Sequence, residues 1–322
     1  MHNLRHFYYQ NKEKIWKVVL LVVFILGIIY YIDKSIESNE KNKSNEVAYN
    51  NTNKEVYSDE QNKTYISDKS GISGSIVTED EVEKINSTIS RFLQYCKNQD
   101  VERAYNMLSA DCKENEYNTL EKFKERYIKS KFDKESVYEI QKWIGDTYKI
   151  SISKDLLSTG DVNNNQKQIE YITIVKEEEI EKLNISSYIG KKDINKSVMQ
   201  NNIKITVLNK RTYMDYEVYD FKIENLSNKT IKIDSLTKTG TMYIEGTNGN
   251  KYNAHSHEIF EDELELKTKR EIELSIKYAS PYSSQTSIEK IVFENVILNY
   301  MEYKNSENKE KFKDILKYQI EL

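Results

Sequence analysis

The sequence predicts an α+β domain followed by an all-β sandwich, both behind a single transmembrane helix. Three observations predict it. An 18-residue apolar run lies near the start, apolar residues then recur at helical three-and-four spacing over residues 82–127, and from Ile203 to the end the period becomes two. A chain of 322 residues has room for two ordinary domains beside an anchor and a linker. Charged residues make up 31% and hydrophobic ones 38%, with a net charge of −4. This balance gives no electrostatic reason to bind nucleic acid, and none is expected as a partner. Tyrosine is abundant at 25, while glycine (9) and proline (1) are scarce, which excludes collagen-like and proline-rich classes.

The apolar run "IWKVVLLVVFILGIIYYI" begins at Ile15, and a helix over it would span about 27 Å, near the thickness of a bilayer's hydrocarbon core. Arg5, Lys12, Lys14 and Lys17 precede or enter it, so residues 1–14 are expected in the cytoplasm and the bulk of the chain outside the cell. The following "YYIDKSIES" has no small-x-small cleavage pattern, which favours an uncleaved anchor over residues 15–34, the membrane being the partner there, over a signal peptide. Residues 35–78 are rich in Asn, Lys, Glu and Ser without periodicity and read as a disordered linker, closed by Gly71 and Gly74 as a joint.

The first domain is expected over 79–195. Val82, Ile85, Ile89, Phe92, Leu93 and Cys96 mark one face of a helix, with Asp80 and Glu83 as a capping pair. Asp100 caps a second helix carrying Val101, Ala104, Tyr105 and Leu108, and Asn118 or Thr119 opens a third with Leu120, Phe123 and Tyr127. "SVYEIQKWIG", "DTYKISISK", "KQIEYITIVKE" and "IEKLNIS" then read as strands of a covering sheet. Over 198–322, alternation in Ile203, Ile205 and Val207, in Tyr219, Phe221 and Ile223, and in Ile272, Leu274, Ile276 and Tyr278 predicts the strands of an antiparallel sandwich.

The pattern "FLQYCKNQDVERAYNMLSADCKENEYNTLEKFKERYI", with Asp100, Ala104, Tyr105, Leu108 and Ser109 at its core, resembles the helical part of NTF2-like (cystatin-like) domains. Such domains occur outside the membrane in Gram-positive bacteria, in some penicillin-binding proteins and conjugation proteins. The segment "YEVYDFKIENLSNKTIKIDS" resembles the strand-turn-strand of Ig-like sandwiches in surface proteins. Together the resemblances imply an NTF2-like cone followed by an Ig-like sandwich. They also imply an extracytoplasmic scaffold or interaction protein of the cell envelope, such as a component of a conjugation, secretion or wall-associated complex. Envelope proteins are the expected partners, and self-association is open. Two alternatives are a small-ligand binder or sensor that uses the cone, and an enzyme that uses a cone aspartate.

The residues offer that enzyme little. The four histidines are His2, His6, His255 and His257, none in the first domain, and its candidate acids Asp146 and Asp155 have the ordinary places of turn and cap residues. No catalytic residue and no cofactor is expected. The one metal-ligating candidate is "NAHSHEIFEDELE", where His255 and His257 read as one face of a strand with Glu258, Glu261 and Asp262 nearby; without a fixed third ligand, a solvated loop is the plainer reading. Asp161, Asn163 and Asn165 begin like a calcium loop, but Gln166 and Ile172 stand where Gly and Glu are needed. Cys96 and Cys112 are the only cysteines, and the sequence leaves open a disulfide between them or two buried thiols.

Overall fold

The computed structural model describes residues 64–154 and 167–322, all within one compact unit, Asn53–Leu322; the other unit, Met1–Thr52, lies outside the described residues. So do the expected tail and anchor, most of the linker, Asp155, and the calcium-like loop at Asp161, Asn163 and Asn165.

A helix starts where Thr78 caps it: Thr78 Oγ1 accepts from Glu81 N (3.3 Å) and Glu81 Oε2 accepts from Thr78 N (3.1 Å). That reciprocal pair, two residues before the expected Asp80 and Glu83, satisfies two donors that a helix start leaves open. From there α1 (Glu79–Ile85) runs through a π-helical segment (Asn86–Ser90) into α2 (Arg91–Lys97), burying Ile85, Ile89, Phe92, Leu93 and Cys96. Asp100 caps α3 (Val101–Asn106), Ser109 caps α4 (Ala110–Asn115) and Thr119 caps α5 (Leu120–Phe123), each accepting from a backbone N–H in the first turn. A second π-helical segment (Lys124–Ile128) joins α5 to α6 (Lys129–Lys131).

These helices cover a sheet in the order β1 (Thr64–Ile66), β2 (Ser136–Ile144), β3 (Thr147–Lys154), β4 (Gln168–Glu177) and β5 (Ile180–Asn184), in which all neighbours are antiparallel except β1 and β2. Strand β1 belongs to the stretch expected to be disordered. It pairs with β2 because Ser67 N and Gly71 N continue the ladder by donating to Ile140 O (2.9 Å) and Lys142 O (2.8 Å). Alternation on β3 and β4 turns Tyr148, Ile150, Ile172 and Ile174 inward, where Phe92, Phe123, Tyr127 and Tyr117 meet at ring-centroid distances of 5.4 to 6.5 Å. Burying side chains of this size stabilises the fold by about 1.5–3 kcal/mol each.

The next strand does not continue that sheet. Ser186 and Ser187, at φ 58° and 63°, turn the chain, and β6 (Tyr188–Gln200) pairs along its length with β7 (Ile203–Tyr213). The sheet β13-β8-β7-β6 adds β8 (Glu217–Asn225) and β13 (Arg270–Tyr278). A third sheet runs in the order β11-β10-β14-β9-β12, from β9 (Ile231–Lys232), β10 (Met242–Gly246), β11 (Lys251–Asn253), β12 (Glu265–Leu266) and β14 (Ile288–Ile297). A short helix α7 (Tyr300–Asn305) then leads to β15 (Ile315–Glu321), which also pairs with β14. The second and third sheets share one core, in which Ile205, Phe221 and Ile276 face Ile244, Phe293 and Tyr318, and the Phe221 and Phe293 rings meet edge-on at 5.3 Å.

The expected fold class is therefore corrected. The described chain is mostly β, arranged in three sheets with short helices, and it does not form an NTF2-like cone set before an Ig-like sandwich. Two physical reasons stand out. Aromatic rings fill the space between helices and sheet, and β6 passes into the second sheet through the expected domain boundary at 195–198, with a bulge between Asp193 and Lys196. The membrane-anchored placement is corrected too: among the described residues no helix is long and apolar enough to cross a membrane. The expectation of a single-pass protein displayed outside the cell therefore has no helix among the described residues to carry it.

Candidate functional site

The segment "NAHSHEIFEDELE" does not form the strand expected of it. Strand β11 ends at Asn253, Ala254 makes one bridge to Tyr278, and two 3₁₀ turns follow, Ser256–Glu258 and Glu261–Leu264. Because residues three apart eclipse in a 3₁₀ turn, His255 and Glu258 come together across it. His255 Nδ1 lies 3.4 Å from Glu258 Oε1, and His257 Nε2 lies 3.7 Å from the same oxygen. The turn is tied down by Glu258 N donating to His255 O (2.9 Å) and by His255 N donating to Lys277 O (2.9 Å) on β13.

Lys277 supplies the local counter-charge. Its Nζ sits 3.0 Å from Glu258 Oε1 and 4.1 Å above the centre of the Tyr216 ring. The hydrogen bond from Lys277 holds the Glu258 carboxyl below the usual carboxylate range. Tyr216 stacks on Tyr213 at 4.5 Å, and Tyr213 Oη donates to Glu116 Oε1 at 2.6 Å, linking the turn to the helices of the first sheet.

Beyond Glu258 the loop alternates between anchor and exposure. Ile259 and Leu264 are buried, whereas Phe260 between them is 70% exposed. Glu263 caps the second turn by accepting from Phe260 N (3.3 Å), and Glu261 reaches back to within 3.6 Å of the buried Lys232. Glu258, Glu261, Asp262 and Glu263 are all exposed around the phenyl ring's loop. Of the residues singled out from sequence, His255, His257 and Glu258 converge, while Glu261 points to Lys232.

The other sequence candidates lie elsewhere. Asp146 occupies the turn between β2 and β3, largely exposed, and takes a hydrogen bond from Lys84 Nζ at 2.8 Å; it faces solvent, as its turn position implies. Cys96 and Cys112 are both free and buried. Burial pushes the Cys96 thiol well above its ordinary value and Cys112 up to about 12. Neither is therefore a nucleophile at neutral pH.

Sequence reasoning missed Glu170, a buried carboxylate on β4 paired with Lys131 of α6. A signal was present: in "KQIEYITIVKE" the alternation that turns Ile172 and Ile174 inward places Glu170 on the same face.

No protein-family model matches this chain, and no curated protein matches it. Two solved structures are similar in part. The yjhA protein from Bacillus subtilis is 13% identical, with 40% of this chain and 97% of that one covered and a TM-score of 0.28. A conserved hypothetical protein from Bacillus anthracis is 11% identical, with 39% and 95% covered and a TM-score of 0.24. At these scores neither likeness bears on fold or function.

Proposed function

We propose that this protein is a non-catalytic interaction module, and that the loop from His255 to Leu264 is its contact surface. The observation that carries this reading is Phe260, a large apolar side chain left 70% exposed on a loop whose neighbours Ile259 and Leu264 are buried. An aromatic ring held out on a fixed turn loses little conformational freedom on docking, which is the character of an interface anchor. The exposed Glu258, Glu261, Asp262 and Glu263 flank it along the loop, so the complementary partner is a protein with an apolar pocket inside a basic rim. The same acidic rim disfavours a phosphate backbone as ligand.

The test is recovery of partners by the full chain, crosslinked in its native host, against a Phe260→Ser/Asp262→Lys variant. The module reading expects reproducible neighbours that the variant loses while it stays folded by circular dichroism. Equal recovery by both proteins would refute this surface.

A further inference from the structure

We propose that His255, His257 and Glu258 form a binding site for a divalent transition metal of the zinc type, with one coordination position open to solvent. The site lies on the loop already proposed as a contact surface, but the inference does not rest on that reading and is argued from the geometry of the turn. Zinc holds nitrogen and oxygen donors at about 2.0–2.1 Å in a tetrahedron, so neighbouring donors stand about 3.3–3.4 Å apart. The His255 Nδ1 to Glu258 Oε1 distance is 3.4 Å and the His257 Nε2 to Glu258 Oε1 distance 3.7 Å, and each of the three residues offers a ligand atom within 4.8 Å of the other two. One edge of a tetrahedron is thus in place before any ion arrives, and the His257 edges, which are longer, close by rotation of its ring, which is 77% exposed.

The donor chemistry selects the metal. Two neutral imidazoles and one carboxylate suit zinc and its neighbours in the first transition row, whereas calcium and magnesium prefer sets of oxygens. The backbone preorganises the set, since the hydrogen bonds from Glu258 N to His255 O and from His255 N to Lys277 O fix the turn that carries all three ligands. With Glu258 and His257 both facing solvent, the fourth position is reachable by water or by a donor from another molecule.

Lys277 opposes the metal, and this makes the site specific enough to test. Its ammonium contacts Glu258 Oε1, the oxygen both imidazoles approach, so a bound cation must displace it. The Tyr216 ring, already 4.1 Å from Lys277 Nζ, gives that displaced charge a face to rest on. Removing the lysine charge therefore tightens binding instead of weakening it.

The experiment is titration of the full chain with Co²⁺, read by the visible absorption of tetrahedral cobalt and its bleaching by Zn²⁺. Wild type is expected to bind one equivalent tetrahedrally. His257→Ala should weaken binding at least tenfold, His2→Ala/His6→Ala should leave the signal unchanged, and Lys277→Gln should tighten it several-fold. His257 is exposed, so its loss does not threaten folding. An octahedral spectrum in wild type, a signal undiminished in His257→Ala, or a signal lost in His2→Ala/His6→Ala would each overturn the site. Binding unchanged or weaker in Lys277→Gln would overturn the placement of the ion on Glu258 Oε1.

Discussion

Asn225 is fully buried, yet none of its side-chain hydrogen-bonding capacity is idle. Its Nδ2 donates to the carbonyls of Lys229 (2.8 Å), Leu266 (3.1 Å) and Lys267 (3.1 Å), and its Oδ1 accepts from Ser227 N (3.0 Å) and Ser227 Oγ (2.7 Å). One side chain thus joins the turn after β8 to the turn between β12 and β13. Replacing it with leucine leaves the buried Leu266 carbonyl and the half-buried bonds to Lys229 and Lys267 without this donor, and we expect Asn225→Leu to lower stability by about 2–4 kcal/mol, read as a shift of the urea midpoint. Cys96 and Cys112 give a second prediction at this scale. As buried thiols they should resist an alkylating reagent in the native protein, react together on unfolding, and leave the melting temperature indifferent to reductant. A melting temperature lowered by reductant would reveal a disulfide instead.

At the scale of elements, the docking of β1 shows how a segment without periodicity can be held. Gly71 N donates to Lys142 O, and a side chain at Gly71 would place its Cβ 2.5 Å from the Trp143 ring and 2.8 Å from Gln141 Oε1. Gly71→Val should therefore push Trp143 off the strand and cost about 1–3 kcal/mol, seen in the same urea assay; an unchanged midpoint would mean that this segment is not docked. The comparison with sequence follows the same physics. The buried faces of α1, α2 and the strands from β2 to β5 were legible because apolar residues repeat at 3.6 or 2 there. Strand β6 was not, because "GKKDINKS" is a solvent-facing edge whose lysines and bulge suit an edge and erase alternation. The cap at Thr78 and the meeting of His255 with Glu258 were hidden for another reason. Each depends on one local hydrogen-bond choice, capping at one threonine over nearby acids or turning 3₁₀ in place of extending, which side-chain patterning does not encode.

Over the whole molecule, two buried carboxyl groups contribute to the pH response of folding. Burial raises Glu116, whose Oε1 accepts from Tyr213 Oη, and burial raises Asp234, which accepts from Leu236 N at 2.8 Å. Folded-state values above the unfolded ones mean that the native state holds these protons more tightly. Their stabilising contribution is complete below the ordinary carboxylate values of 4.5 and 3.8 and is lost as pH rises through the raised folded values. Glu81 and Glu258 shift downward and act in the opposite sense, but both lie near solvent and are screened. Glu116→Gln and Asp234→Asn should each flatten the fall in stability across that window, measured by urea titration at a series of pH values. A profile as steep as wild type would assign the response to other groups.

The loop carrying Phe260 is proposed to meet a partner. That contact is tested most directly by placing a photo-crosslinking phenylalanine analogue at position 260 of the full chain in its native host, with the same analogue at Met301, which is 56% exposed, as the control. A partner seated on the loop gives one discrete, heavier adduct from position 260 and none of that mass from position 301. The same adduct from both positions, or none from position 260, would contradict it.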